Sequence, residues 1–130
     1  MQIRGAIHHI HLASPDPRAA AAWYAQMLGA EIYADGDLRG ARNIRLRVGE
    51  ALLYIRASRA GERHTPAPAN AHYGFNHLCL AVDDLDAALA EAQRKGAAIA
   101  EPEFQLPSGR GFFLEAPDGV LVEIFEPKKG

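Results

Sequence analysis

The sequence predicts an α+β fold in which two βαβββ repeats form a curved eight-stranded cup with the helices on its outer face. Three observations carry this. An apolar stretch with a central histidine, Ile7-His8-His9-Ile10-His11-Leu12-Ala13, returns later as Phe75-Asn76-His77-Leu78-Cys79-Leu80-Ala81. Seven residues after His9 and after His77 stands an aspartate, Asp16 or Asp84, and a helical pattern follows each. The offset also persists: His77 and Asp84 lie 68 residues beyond His9 and Asp16, and Gly96 lies 67 beyond Gly29. A sustained offset of this kind marks one supersecondary unit used twice. Neither unit alone can cover both faces of a four-stranded sheet, so the two are expected to share one domain.

The first element is a strand over residues 7–13. Alternation turns His9 and His11 to one face and His8, Ile10 and Leu12 to the other, which gives His8 a structural place toward the helix layer. Asp16 then caps a helix and Pro17 fits its first position. Over residues 18–28, Ala20, Trp23, Tyr24, Met27 and Leu28 form a buried stripe, and Gly29 ends the helix. Residues 31–34 read as a strand and Asp35-Gly36-Asp37 as a turn. The strand over 41–48 alternates strictly, so Ile44, Leu46 and Val48 face the core while Asn43, Arg45 and Arg47 face the cup. Gly49-Glu50 leads into a further strand over 51–57.

Between residues 58 and 74 the periodicity stops, and Pro66 and Pro68 mark a linker that also holds His64 and His72. The second repeat starts with a strand over 75–82. Its helix over 85–95 aligns Leu85, Ala88, Leu89 and Ala92, and Gly96 stops it. Strands over 97–101, 109–115 and 120–125 complete the unit, with Ala116-Pro117-Asp118-Gly119 as the turn between the last two. The 130 residues thus make one domain, with repeats at about 5–57 and 75–126.

Composition narrows the function classes. With 48% apolar and 23% charged residues the chain is of the soluble globular type. No apolar run nears the roughly 20 residues of a membrane helix, and no secretory pattern opens the chain, so no membrane partner and a cytoplasmic address are expected. The single cysteine, Cys79, excludes an intrachain disulfide and suits a reducing compartment. A net charge of -2 argues against nucleic acid as a partner, although seven of the eleven arginines lie between Arg39 and Arg63.

The stretches HIHLASPD with WYAQMLGAE, HLCLAVDD, and APDGVLVEIFEP resemble the vicinal oxygen chelate superfamily, which includes glyoxalase I, methylmalonyl-CoA epimerase, extradiol dioxygenases and the fosfomycin- and bleomycin-resistance proteins. The resemblance implies a divalent metal held by the histidine seven residues before each capping aspartate and by a carboxylate on the last strand. Here these are His9, His77 and Glu123. Two imidazoles and a carboxylate suit Fe, Mn, Co, Ni or Zn.

The resemblance also shows two departures. Glyoxalase I and the epimerases place a Glu or Gln on the last strand of the first repeat, where this chain has Tyr54. The extradiol enzymes place a tyrosine where this chain has Phe113. Candidate acid–base groups are therefore His11 and Tyr54, and Arg45, Arg47 and Arg56 are candidate anchors for an anionic group on a small-molecule substrate. The expected function is metal-dependent lyase or isomerase chemistry by proton transfer. The alternatives are an Fe(II) dioxygenase and a bleomycin-resistance-like binding protein. The resemblance further implies a homodimer.

Overall fold

The computed structural model describes residues 1–68 and 71–130, so positions 69 and 70 of the expected linker lie outside the described residues. The chain divides into two compact units, Met1–Thr65 and Pro66–Gly130. Each contains one four-stranded sheet and one long helix in βαβββ order, the α+β fold expected.

In the first unit, β1 (Ile10–Ala13) leads through α1 (Pro17–Leu28) to β2 (Glu31–Leu38), β3 (Ala41–Val48) and β4 (Ala51–Arg56). The sheet order is β1-β4-β3-β2, with β1 parallel to β4 and the other pairs antiparallel. The Asp16 carboxylate accepts from the Ala19 N–H, Pro17 occupies the first turn, and Gly29 closes the helix in the left-handed region at φ 67°. Ala20, Ala21 and Tyr24 of α1 are buried, as are Ile44, Leu46, Leu53 and Ile55 of the sheet. Trp23, Met27 and Leu28, expected in the same stripe, are only half-buried, and Trp23 lies edge-on against Tyr24.

In the second unit, β5 (Leu78–Ala81), α2 (Leu85–Arg94), β6 (Ile99–Leu106), β7 (Gly109–Glu115) and β8 (Leu121–Pro127) repeat the pattern, with sheet order β5-β8-β7-β6. Asp84 caps α2 through the Ala87 N–H, and Glu126 accepts from the Leu85 N–H at 2.7 Å. Leu78, Leu85, Ala92, Phe112, Leu114, Val122 and Ile124 form its core.

Four strands differ from their expected bounds. β1 and β5 start at Ile10 and Leu78, so His8, His9 and His77 precede their strands and strict alternation does not govern them. β2 runs on through Asp35-Gly36-Asp37, because Arg42 reaches across from β3 to Asp35 at 2.9 Å and Asp37 at 3.9 Å. The turn falls instead at Arg39-Gly40, both with positive φ, the two-residue loop that suits the twist of a hairpin. β6 continues past Pro102, which an edge strand with register shifts tolerates.

Candidate functional site

In the first unit, register brings the candidate side chains onto the sheet face opposite α1. His11 pairs with Tyr54, which pairs with Arg45, and Ala13 pairs with Arg56, which pairs with Asn43. Paired residues share a face, so His11, Tyr54, Arg45, Arg56 and Asn43 lie together. His9 joins them from just before β1: its ring stacks on Tyr54 at 4.1 Å and meets His11 edge-on at 5.8 Å. His11 and Tyr54 are themselves edge-to-face at 5.7 Å. Partial burial, followed by the positive charge of Arg56, lowers the His11 pKa and favours the neutral imidazole.

The three arginines differ in their surroundings. Arg56 forms a two-pronged pair with Glu62 at 2.7 and 2.9 Å, which leaves little of its charge for an external anion. Arg47 lies over the Tyr33 ring at 4.9 Å, with Glu31 at 3.8 Å. Arg45 also lies over Tyr33, at 5.8 Å, and its Nε is buried without a hydrogen-bond partner. The wider basic stretch is partly neutralised within its own unit, since Arg42, Arg47, Arg56 and Arg59 each face a carboxylate.

In the second unit, Cys79 pairs with Glu123, which pairs with Phe113, and this row again lies opposite the core face. Glu123 is the one buried charged residue among those described, 8% exposed. His77 faces it, with Nε2 2.8 Å from Glu123 Oε2 and Nδ1 2.7 Å from Asn76 Oδ1. Phe113 meets the His77 ring edge-on at 4.8 Å, and Phe104 stacks on Phe113. The Cys79 thiol is pushed up to about 11 by burial and then by the Glu123 charge, so it stays protonated near neutrality.

Among the described residues no three His, Cys, Asp or Glu side chains converge in a group able to hold a metal. The first unit assembles His9 with His11 and Tyr54, and the second assembles His77 with Glu123. A buried carboxylate that faces an imidazole suits a cation, because a carboxylate held away from water needs a positive or hydrogen-bonding partner. The imidazole and carboxylate of His77 and Glu123 are donors that suit a first-row divalent metal.

Sequence reasoning misplaced His8 and missed Asn76. His8 is exposed, and its Nδ1 lies 2.9 Å from His9 Nδ1 rather than in the helix layer. Asn76 stands 68 residues beyond His8, so the repeat offset that identified the histidines also relates these two neighbours.

The family model of the Glyoxalase/Bleomycin resistance protein/Dioxygenase superfamily matches residues 6–124. The chain belongs to that superfamily. It is 31% identical to an ethylmalonyl-CoA/methylmalonyl-CoA epimerase of Cereibacter sphaeroides, over 92% of this chain and 96% of the relative. It is 28% identical to the mitochondrial methylmalonyl-CoA epimerase of Homo sapiens, over 92% of this chain and 73% of that protein. Among solved structures, a glyoxylase/bleomycin resistance protein/dioxygenase domain from Frankia sp. EAN1pec superposes with TM-score 0.80 at 20% identity, covering 97% of this chain and all of that one. These relatives support an isomerase-type enzyme of the superfamily.

Proposed function

We propose that this chain is a divalent-metal-dependent isomerase that moves a proton at a carbon beside the carbonyl of a small anionic acyl compound. A methylmalonyl or ethylmalonyl thioester is the first substrate to test, since the relatives are named for acting on such compounds. The observation that carries the reading is Glu123, a buried carboxylate facing His77 on the sheet face opposite the core. The relatives support the isomerase half of the chemistry expected from sequence, and nothing in them favours the lyase half.

In this reading His9, His77 and Glu123 hold one Fe, Mn, Co, Ni or Zn ion, which when bound supplies positive charge against the negative charge that builds on substrate oxygens. The remaining work falls to the chain's own side chains. His11, kept neutral by partial burial and Arg56, takes the proton from carbon as general base. Tyr54, its cross-strand partner, supplies the acid that returns one. Arg45, with its unpartnered Nε, binds the acidic group of the substrate, and Arg47 flanks it on Tyr33. Arg56 is tied to Glu62 and acts through its charge on His11 more than on substrate. A homodimer remains the assembly to expect, and light scattering on the purified protein measures it.

The test is exchange of the α-hydrogen of one methylmalonyl thioester enantiomer in heavy water, followed by NMR under anaerobic conditions with each metal in turn. Exchange with inversion is the expected result, reduced on the order of 10²–10⁴-fold in His11→Ala. Turnover that requires oxygen would mark a dioxygenase. Tight binding to metal-free protein without exchange would mark a binding protein, and either outcome overturns the isomerase.

A further inference from the structure

We infer that the residue directly before each candidate metal ligand, His8 in the first repeat and Asn76 in the second, is a positioning residue that commits the following imidazole to bind metal through Nε2. The inference rests on the metal reading proposed above and extends it to residues with no assigned role.

The same contact occurs twice, built from different side chains. His8 Nδ1 lies 2.9 Å from His9 Nδ1, and Asn76 Oδ1 lies 2.7 Å from His77 Nδ1. Residues 8 and 76 are 68 apart, the offset of the histidines themselves. Each contact lies within its own repeat and uses the same ring nitrogen.

The chemistry follows from what each partner accepts. A carboxamide oxygen only accepts, so the His77 Nδ1–H donates to Asn76, and the nitrogen left for a metal is Nε2. That atom is the one facing Glu123, at 2.8 Å from Oε2, so in the metal-free protein it shares a proton with the carboxylate, and a metal binding there takes that proton's place. In the first repeat either Nδ1 can carry the shared proton; on this inference it sits on His9 and is donated to the His8 Nδ1 lone pair, which again leaves His9 Nε2 for the metal. Stacking on Tyr54, at 18° between the planes, fixes the other rotational freedom of the His9 ring. Partners of this kind set the ring's orientation and tautomer, and their loss costs metal affinity on the order of 10–100-fold.

Both positions are exposed, so their substitution leaves the core untouched. The experiment titrates Zn(II) into the metal-free protein by calorimetry for the parent, His8→Ala, Asn76→Ala and His8→Asn. Circular dichroism confirms the fold of each. Alanine at either site is expected to weaken Zn(II) binding about 10–100-fold. His8→Asn should stay within about 3-fold of the parent, because it installs the acceptor that the second repeat already uses. Long-range proton–nitrogen NMR of the Zn(II) form should show His9 and His77 protonated at Nδ1 and bound at Nε2. Unchanged affinity in both alanine variants, or binding through Nδ1, overturns this inference alone. A parent that takes up no Zn(II), nor any other metal offered, overturns it together with the metal reading.

Discussion

A methyl group added at Gly111 would lie 2.8 Å from the Ile124 carbonyl oxygen, 3.0 Å from the Phe104 ring and 3.4 Å from Glu123 Oε1. The first neighbour is backbone of the adjacent strand and cannot yield cheaply. The other two are the aromatic wall and the carboxylate of the candidate centre. Gly111→Ala should therefore destabilise the protein by roughly 1–3 kcal/mol through overpacking, measured by urea unfolding. It should also weaken metal binding, because the clash displaces the β8 backbone that carries Glu123, whereas a variant that unfolds earlier yet binds metal as the parent does would show that Glu123 keeps its place. No sequence pattern marks Gly111, because its role depends on which strand lies beside it. His9, His77 and Glu123 became candidates through the family resemblance, which ties each to a fixed place relative to a cap or a turn. His8 was misread for a related reason: alternation describes residues inside a strand, and β1 begins only at Ile10.

Among the elements, helices were easier to place than strands. Asp16 and Asp84 are side-chain caps in the structure, each accepting from the N–H three residues on. Asp16→Ala should cost about 1 kcal/mol, read as a fall in thermal midpoint, while Asp84→Ala should cost less because Glu126 also serves the start of α2. The strands β2 and β6 outran their expected ends because cross-strand arginines hold polar residues in the sheet, a long-range effect that local turn chemistry does not register. Arg42 does so for Asp35 and Asp37, and Arg110 for Glu103.

The segment after β4 adds a pH dependence at this scale. The Arg56 guanidinium, followed by the Arg59 N–H, holds the Glu62 carboxyl at about 2 against its ordinary 4.5. A depressed carboxylate contributes stability that is complete above its unfolded value and lost as pH falls through its folded one. The difference in thermal midpoint between parent and Glu62→Gln should thus be constant from about pH 6 to 8 and close between about pH 5 and 2. Because the pair is partly open to solvent, the difference itself should be small. A difference that persists unchanged at pH 2 would locate the effect of Glu62 in packing rather than charge.

For the whole molecule, the repeat arithmetic carried most of what was legible. Two copies of one unit imply the strand order, the helix placement and the repeat-related histidines together, because a sequence period constrains every element at once. The reaction was less legible, since Tyr54 and Phe113 depart from the patterns that would have named it. One consequence belongs to the molecule and to neither repeat alone. If His9 serves the same metal as His77 and Glu123, binding stabilises both repeats by mass action. At a free metal concentration of 100 times Kd this amounts to about 2.7 kcal/mol, a rise in thermal midpoint on the order of 10 °C for a protein of this size. Thermal melts with and without Co(II) should show that rise in the parent and lose it in both His9→Ala and Glu123→Gln, whose changes lie in different repeats. A shift that survives in His9→Ala but not in Glu123→Gln would confine the metal to the second repeat, and the imidazole stacked on Tyr54 would then belong to the substrate side of the chemistry.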